Sequence, residues 1–163
     1  MSTDNLGAKV AQWWKYNLAD RNQASCRALA ARLRRANAVS ALCEPQVIAL
    51  ARSLDIGPDN AQRLAGLVCL LAEVREESSQ SLAKILADPQ HGLSPLRFER
   101  LMRSHGEERI ALMRRAIQMA DRRLNVAKFA SDVIYWNERT RIRWCFDYFG
   151  AEAPQDNQAE VSA

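Results

Sequence analysis

Arginine is the residue whose abundance and spacing in this sequence point most directly to chemistry. The segment Phe98–Arg123 contains seven arginines and no lysine, while apolar residues return through it at helical intervals. Arg97, Arg100 and Arg103 lie three residues apart, so they share one face of a predicted helix. Because a guanidinium group can bind two phosphate oxygens at once, this face predicts contact with phosphate groups.

Two other segments add basic helical faces. Residues 21–43 contain five arginines and no acidic residue, and Arg139, Arg141 and Arg143 alternate just after Trp136. The net charge of the chain is +4, but residues 1–149 carry +7 because residues 150–163 contain three acids and no base. If the fold brings these faces together, they form a stripe that can follow a phosphate backbone.

Simpler explanations of the arginines stay open at this point. A GC-rich coding sequence would also favour arginine, of which there are 19, over lysine, of which there are 4. A charged helix face is usually only a solvated one, and neighbouring acids could neutralise part of it: Glu99, Glu107, Glu108 and Asp121. The four tryptophans recur at core spacing, which favours packing over base stacking.

No catalytic or metal-binding motif accompanies the arginines. His91 lies in a proline-flanked loop and His105 beside a glycine, and the sequence contains no nucleophile elbow, HExxH, P-loop or GxGxxG. The cysteines form no CxxC pair, which argues against a zinc site of the usual spacing, and their apolar surroundings predict reduced, buried thiols. They are Cys26, Cys43, Cys69 and Cys145. We therefore expect no enzymatic activity, metal or cofactor.

The hydrophobic pattern predicts an all-α protein, with two small helical-bundle lobes packed together and about seven to nine helices. We expect an N-terminal lobe over residues 1–76, a C-terminal lobe over 81–149 and a disordered acidic tail over 150–163. Apolar runs are too short to span a bilayer and no signal core is present, so we expect a cytoplasmic protein.

Individual helix boundaries follow from capping residues and prolines. The helix with apolar residues on most of its circumference, which begins at Asp59 or Asn60, should lie centrally. The other predicted features are a helix over Leu6–Leu18, a helix over Asn22–Ala36 capped by Asn22, a helix starting at Pro45, a short helix after Ser81, a helix capped by Ser94 and started by Pro95, a left-handed C-cap at Gly106, and a helical region over Val126–Phe149 that bends near Asn137.

Several segments in order resemble the small subunit of Cascade, the type I-E CRISPR surveillance complex, also called CasB. After Ser81 the resemblance rests on "SLAKIL", "RFERLMRS", "ALMRRAI" and "YWNERTRIRWCFDYF". Before it, "VAQWWKYN" and "ARLRRA" resemble the family's N-terminal tryptophan helix and early arginine turn. The order and spacing of these segments, together with the chain length, carry the resemblance.

The resemblance implies a non-catalytic, two-lobe subunit that contacts the path of guide RNA and target DNA and stabilises the displaced DNA strand. The implied partners are the backbone subunits, the large subunit, a second copy of the chain, CRISPR RNA and target DNA. It implies neither a membrane nor a small-molecule substrate.

Carried over by position, the family's basic residues fall on Arg34, Arg35, Arg103, Arg114, Arg115, Arg139 and Arg141. The family has basic residues where this chain has Asp59 and Gly106, and Glu138 interrupts its basic pair. Arg100 is therefore added to the predicted nucleic-acid-binding residues, with Arg109 and Arg143 as further candidates for compensation.

Two other function classes remain open from the sequence. One is a helical protein–protein adaptor without a direct nucleic-acid role, whose arginines form intersubunit salt bridges or a solvated face. The other is a small helical nuclease that uses clustered carboxylates. Salt-dependent binding of single-stranded DNA distinguishes the nucleic-acid-contacting Cascade subunit from the adaptor, and Mg²⁺-dependent cleavage identifies the nuclease.

Overall fold

The computed structural model describes residues 2–150. This part of the chain contains ten α-helices, one more than the predicted range of seven to nine, and confirms the all-α fold class. The helices are α1 (Thr3–Trp14), α2 (Ala24–Arg35), α3 (Ala38–Leu42), α4 (Pro45–Ser53), α5 (Ala61–Leu71), α6 (Leu82–Leu86), α7 (Pro95–Arg103), α8 (Gly106–Met119), α9 (Val126–Ile134) and α10 (Glu138–Phe149). A π-helical turn, Lys15–Ala19, extends α1, and a 3₁₀ turn, Pro58–Asn60, leads into α5.

Helix α5 forms the centre of the core, as its apolar circumference predicts. From Leu67 to Leu71 every residue is buried, and α5 packs against five other helices: α2, α3, α4, α8 and α9. Burying one leucine side chain stabilises the fold by roughly 1.5–3 kcal/mol, so this run is a large contribution to stability. The end of α5 is therefore a fixed point from which functional side chains can be positioned.

Helix starts follow the sequence signals at most predicted positions. Pro45 begins α4, and Ser94 accepts a hydrogen bond from the Arg97 amide at the start of α7. The predicted cap at Asn22 is wrong, because α2 begins at Ala24 after Gln23. The Asn22 amide instead donates to the Asp20 carboxylate at 3.1 Å, in a turn that precedes the helix.

The C-terminal helical region divides into α9 and α10, at the bend predicted near Asn137. Asn137 has an extended backbone, and its side chain accepts a hydrogen bond from the Thr140 amide at 3.0 Å. The Thr140 hydroxyl donates to the Tyr135 carbonyl at 2.8 Å, which ties the end of α9 to the start of α10. The break therefore has its own cap, and it turns Arg139 and Arg141 onto a separate helix.

Three local features were not predicted. Helix α3 has only five residues and is stabilised by a capping box between Asn37 and Ser40. Two short strands, β1 (Glu76–Glu77) and β2 (Arg123–Leu124), pair in parallel and join the turn after α5 to the turn after α8. Before β2, Asp121 and Arg122 have left-handed backbones, with φ of 57° and 60°.

The N-terminal helix α1 lies along α9, so residues from the two predicted lobes pack directly on each other. Gly7 permits this approach, since a Cβ there would stand 2.4 Å from the Ala127 carbonyl oxygen. One buried apolar cluster extends from Leu6 to Trp144. The lobe boundary between residues 76 and 81 remains a prediction, and residues 151–163 of the predicted tail lie outside the described residues.

Two further predictions need correction in detail. Gly106 has the predicted left-handed backbone, φ +53°, but it begins α8, while α7 ends at Arg103 with Ser104 as its C-cap. Cys26 and Cys69 are buried thiols as expected, whereas Cys43 is exposed because it ends the unpredicted helix α3. No helix within residues 2–150 has the length and apolar character that crossing a membrane requires.

Candidate nucleic-acid interface

The eight predicted arginines lie on four helices and fall into different environments. Arg34 and Arg114 converge on one buried carboxylate, whereas Arg100 and Arg103 form separate ion pairs on the surface. Arg35, Arg115 and Arg139 are exposed and form no ion pair within residues 2–150. Arg141 is partly buried and donates to the Met102 carbonyl at 3.4 Å.

The buried carboxylate belongs to Glu73, just beyond the C-terminus of α5. Glu73 is only 2% exposed. Arg34 Nε donates to its Oε1 at 3.2 Å, Arg114 Nε lies 3.6 Å from the same oxygen, and Arg122 Nη1 donates to Oε2 in a short hydrogen bond. We call Glu73 with Arg34, Arg114 and Arg122 the Glu73 cluster. It joins α2, α5 and the end of α8 through one acid and three bases.

The turns that carry Glu73 and Arg122 are fixed to each other by backbone hydrogen bonds. The Arg122 carbonyl accepts from the Arg75 amide at 2.7 Å and from the Glu76 amide at 3.2 Å, where β1 begins. The left-handed backbone of Arg122 costs energy for a residue with a Cβ, and the surrounding contacts must maintain it. The turn after α8 therefore delivers the Arg122 guanidinium to Glu73 at a set position.

The charge balance of the cluster is strongly basic. Burial alone would raise the pKa of Glu73, but the hydrogen bond from Arg122 and the charges of Arg34 and Arg122 outweigh it, so the pKa lies below its usual range. Burial, with repulsion from Arg75 and Arg34, lowers the pKa of the neighbouring Arg21 to about 10. Glu73 is thus ionised at neutral pH, and its single negative charge balances only one of the three guanidinium groups of the cluster.

A cleft of about 670 Å³ opens beside the cluster, between α5 and α8. Three arginines from these two helices line it, Arg63, Arg109 and Arg114, so the cleft is continuous with the Glu73 cluster through Arg114. Asp59 and Glu107 are the acids in its lining. The three guanidinium groups supply a concave, positively charged surface that suits a phosphate-bearing ligand.

Arg109 extends this basic surface towards α10. Its guanidinium carbon lies 5.8 Å from the centroid of the Trp136 ring, which is within cation–π range. Burial, with the charges of Arg63 and Arg141, lowers the pKa of Arg109. Arg63 donates to the Ile134 carbonyl at 2.9 Å and so uses a neutral acceptor. Within residues 2–150, Arg63, Arg109 and Arg141 pair with no carboxylate, so their charge is available to a ligand.

The arginines of α7 have a different environment. Arg100 Nη2 lies 3.0 Å from Glu108, and Arg103 Nη2 lies 3.0 Å from Glu99 one helical turn earlier. The Arg103 side chain is 80% exposed and that of Glu99 53%. Exposed pairs of this kind contribute at most about 1 kcal/mol, so phosphate groups can compete for these arginines.

A second cleft, of about 1080 Å³, lies where α9 meets α10. Arg139 and Arg143 line it together with the exposed apolar residues Ile142 and Phe146. Arg143 pairs with the buried Asp132 at 3.0 Å, and burial raises the pKa of Asp132 although the Trp144 indole donates to it at 2.8 Å. Its lining has three bases and two acids, the same balance as in the first cleft, but two of its bases, Lys128 and Arg143, form ion pairs.

Sequence reasoning missed the residues that organise the interface. Glu73 follows the apolar run from Leu64 at the C-terminal end of a helix, where the helix dipole disfavours an acid. A usable signal was that this acid directly follows an uninterrupted apolar run, Leu67 to Ala72, on a helix expected to be central, where a carboxylate needs partners. Arg21, Arg63 and Arg122 were not selected either.

The remaining candidates for chemistry take structural positions. Trp14, Trp136 and Trp144 are buried, in agreement with the packing interpretation, and His91 and His105 are exposed. Within residues 2–150, no three His, Cys, Asp or Glu side chains are grouped so that they could hold a metal ion.

The described fold and site define an all-helical protein with an arginine-lined cleft next to a buried acidic residue. The sequence profile of the family described as CRISPR-associated protein Cse2 matches residues 27–149, which is more than half of the chain. The chain therefore belongs to the CRISPR-associated Cse2 family. Among curated protein sequences, comparison finds no match for this chain.

Solved structures share the fold at low sequence identity. TTHB189, a CRISPR-associated protein of the Cse2 family from Thermus thermophilus, matches with a TM-score of 0.67 and 19% identity, covering 89% of this chain and 98% of that chain. CasB from Thermus thermophilus matches with a TM-score of 0.65 and 18% identity, with the same two coverages. A chain of E. coli Cascade bound to a PAM-containing dsDNA target matches with a TM-score of 0.61 and 20% identity, covering 86% and 91%. The resemblance to the CasB-type small subunit is confirmed.

Proposed function

We propose that this chain is a non-catalytic small subunit of a Cascade-type CRISPR interference complex that holds nucleic acid along its arginine-rich face. Its partners would be the backbone and large subunits, a second copy of itself, CRISPR RNA and target DNA. Family membership supports the subunit role, and the related fold in E. coli Cascade bound to dsDNA supports a place beside target DNA. The observation that carries the nucleic-acid role is the cleft lined by Arg63, Arg109 and Arg114.

The proposed mechanism is electrostatic and independent of base sequence. In RNA-guided recognition, base pairing reads the target and protein contacts to the backbone shift a nearly balanced strand exchange. Arginines that bind phosphates add favourable energy only when the strand is displaced and follows the basic face. Arg34 and Arg35 would begin this path, Arg114 and Arg115 continue it, and Arg139 and Arg141 extend it, with Arg100 and Arg103 at its side.

A salt series on labelled single-stranded DNA tests this function. Arg115 and Arg139 are exposed and unpaired within residues 2–150, so Arg115→Glu/Arg139→Glu should preserve the fold. Arg52→Glu/Lys84→Glu is the matched control, because it changes net charge equally at two exposed residues that line neither cleft. We expect wild-type affinity to fall steeply with salt, by a slope of about 0.7 per phosphate contact, and the first variant to lose more affinity than the control.

Two results would contradict the nucleic-acid role. The first is no binding of single-stranded DNA by the wild-type chain even at low salt. The second is an equal loss of affinity in the variant and in the control, which would show a response to net charge alone.

One surface favours the adaptor as a second candidate function. Ile142, Phe146 and Phe149 are spaced at helical intervals on α10 and are 51%, 63% and 55% exposed. Large apolar side chains exposed together commonly mark protein contacts. If the adaptor role is the correct one, Phe146→Glu abolishes co-purification with the other Cascade subunits, while single-stranded DNA binding stays absent in wild type and variant alike.

A further inference from the structure

The Glu73 cluster combines full burial of its acid with an excess of base. A single ion pair would satisfy a buried carboxylate, yet three guanidinium groups surround Glu73, which leaves two positive charges in excess. Like charges held close together are unfavourable unless solvent or a ligand screens them, and the three arginine side chains reach solvent with 39%, 32% and 32% exposure. This imbalance separates the cluster from an ordinary structural salt bridge.

The three arginines use different nitrogens towards Glu73. Arg122 contacts it through a terminal Nη, whereas Arg34 and Arg114 approach it with Nε, the nitrogen nearest their stems. Within residues 2–150, Arg34 donates to Glu73 through Nε alone, and Arg114, whose buried Nε lies 3.6 Å from the carboxylate, donates to no hydrogen-bond acceptor. Since the Nη groups extend beyond Nε, these two side chains present unused donors, and Arg114 presents them at the cleft.

We infer that Glu73 is a positioning residue for strand binding: its buried carboxylate holds Arg34 by a hydrogen bond from Nε and Arg114 by charge, with Nε 3.6 Å away, and leaves their terminal N–H groups for phosphate. Arg122 is the anchor, because it ties Glu73 to the turn after α8. This inference rests on the proposed function. An acidic residue would then favour the binding of a polyanion, because it orders two flexible arginine side chains before the strand binds and so reduces the conformational entropy lost on binding.

The direction in which Glu73→Gln changes DNA affinity distinguishes this positioning role from a simple effect of net charge. Glu73→Gln removes a negative charge, so charge alone predicts tighter binding of single-stranded DNA. Positioning predicts weaker binding, because Arg34 and Arg114 lose their orienting acceptor. If both phosphate contacts are lost, the slope of log affinity against log salt concentration becomes shallower by about 1.4. If the variant and wild type bind equally at 1 M salt, this difference amounts to about 25-fold weaker binding by the variant at 0.1 M salt. Glu107→Gln, at an exposed acid that lines the cleft, is the charge-matched control and should bind as tightly as wild type or tighter.

A second variant covers the case in which Glu73→Gln does not fold. Glu73→Gln/Arg122→Gln replaces the anchoring ion pair by two amides and keeps the wild-type net charge. Circular dichroism and thermal melting establish which variants are folded. We expect the folded variants to show the reduced slope, and partial recovery in Glu73→Asp, which keeps the charge.

The wild-type chain supplies a measurement that needs no variant. In nuclear magnetic resonance spectra without DNA, the Nε–H protons of Arg34 and Arg114 should exchange with water more slowly than those of their exposed neighbours Arg35 and Arg115. The inference is overturned if a folded Glu73 variant binds as tightly as wild type, or if the four arginines exchange alike. Absence of DNA binding by wild type would instead overturn the proposed function itself.

Discussion

The Glu73 cluster and the surface pairs of α7 use the same two residue types with different consequences. In the cluster, three arginines share one carboxylate that is 2% exposed. On α7, Arg100 and Arg103 each have their own glutamate, and all four side chains are more than half exposed. Burial therefore decides how an ion pair acts: the cluster holds its side chains in place, whereas solvent screens the surface pairs.

The difference is also one of charge balance. Each surface pair is neutral. A phosphate group can therefore bind an arginine of α7 only by displacing the glutamate that is paired with it. The Glu73 cluster has a positive excess and adjoins the cleft lined by Arg63, Arg109 and Arg114. Of the eight predicted arginines, Arg114 lines this cleft, and Arg34 shares its carboxylate.

Replacing Glu73 by an apolar residue should have the largest effect on stability. Glu73→Leu leaves three partly buried guanidinium groups without their carboxylate, and removing one partner of a buried ion pair typically costs about 3–5 kcal/mol. The free energy of unfolding, from urea denaturation followed by circular dichroism, measures this cost. Glu99→Gln is the control on α7, and a cost for Glu73→Leu as small as the control's would place the cluster in the class of solvated pairs.

Asp132 is an intermediate case between the two regions. It is a buried carboxylate with one guanidinium partner, Arg143, and one indole donor, Trp144. Trp144→Phe keeps most of the packing but removes the donor, so we expect a loss of about 1–3 kcal/mol, the cost of an unsatisfied buried acceptor. Thermal unfolding of the variant checks this value. An unchanged midpoint would mean that Arg143 alone satisfies the carboxylate.

Acid should remove the stabilisation that the ionised Glu73 gives to the fold. The pKa of Glu73 in the folded state lies below that of an unfolded glutamate, which is about 4.3. The cluster therefore stabilises the fold fully above that pH, and this contribution is lost as pH falls from there through the folded-state pKa. Each such group changes the free energy of unfolding by at most about 1.4 kcal/mol per pH unit.

The comparison between wild type and Glu73→Gln isolates the contribution of Glu73 to the pH dependence of the free energy of unfolding. Urea denaturation between pH 3 and pH 7 should show a shallower acid dependence in the variant. The pKa of Asp132 is raised by burial, so Asp132 contributes with the opposite sign and loses its stabilising effect as pH rises through the raised value. Parallel curves for wild type and variant would contradict the proposed ionisation of Glu73.

The sequence predicts helices well where the signal is local or repeated. The apolar circumference of α5, the Ser94–Pro95 start of α7 and the break at Asn137 all follow from residues within one or two turns. Helix α3 has too few residues for a periodic pattern, and the strand pair β1–β2 depends on residues 47 positions apart in sequence. Gln23, rather than Asn22, precedes α2 because Asn22 is used in the preceding turn.

The same distinction applies to the candidate site. The arginines could be selected from the family resemblance, but their partners could not, because Arg34 and Arg114 meet only when α2 and α8 pack beside the end of α5. Arg103 shows the local case, since Glu99 lies four residues earlier in the sequence and the pairing is readable there. Tertiary packing therefore decides which basic faces join, and the residues near each arginine in the sequence do not indicate that packing.

The smallest expected effect concerns the pair Glu99–Arg103. A glutamate four residues before an arginine has the favourable orientation on a helix, and such a pair is worth about 0.3–0.5 kcal/mol. A double-mutant cycle of Glu99→Gln and Arg103→Gln, measured by urea denaturation, should give a coupling energy in that range that vanishes in high salt. The equivalent cycle for Glu73 and Arg122 should give a larger coupling that persists in salt, because its carboxylate is shielded from solvent. If both couplings were small and salt-sensitive, burial would not separate the two regions, and the arginines of α7 would be as well suited as those of the cluster to hold a strand.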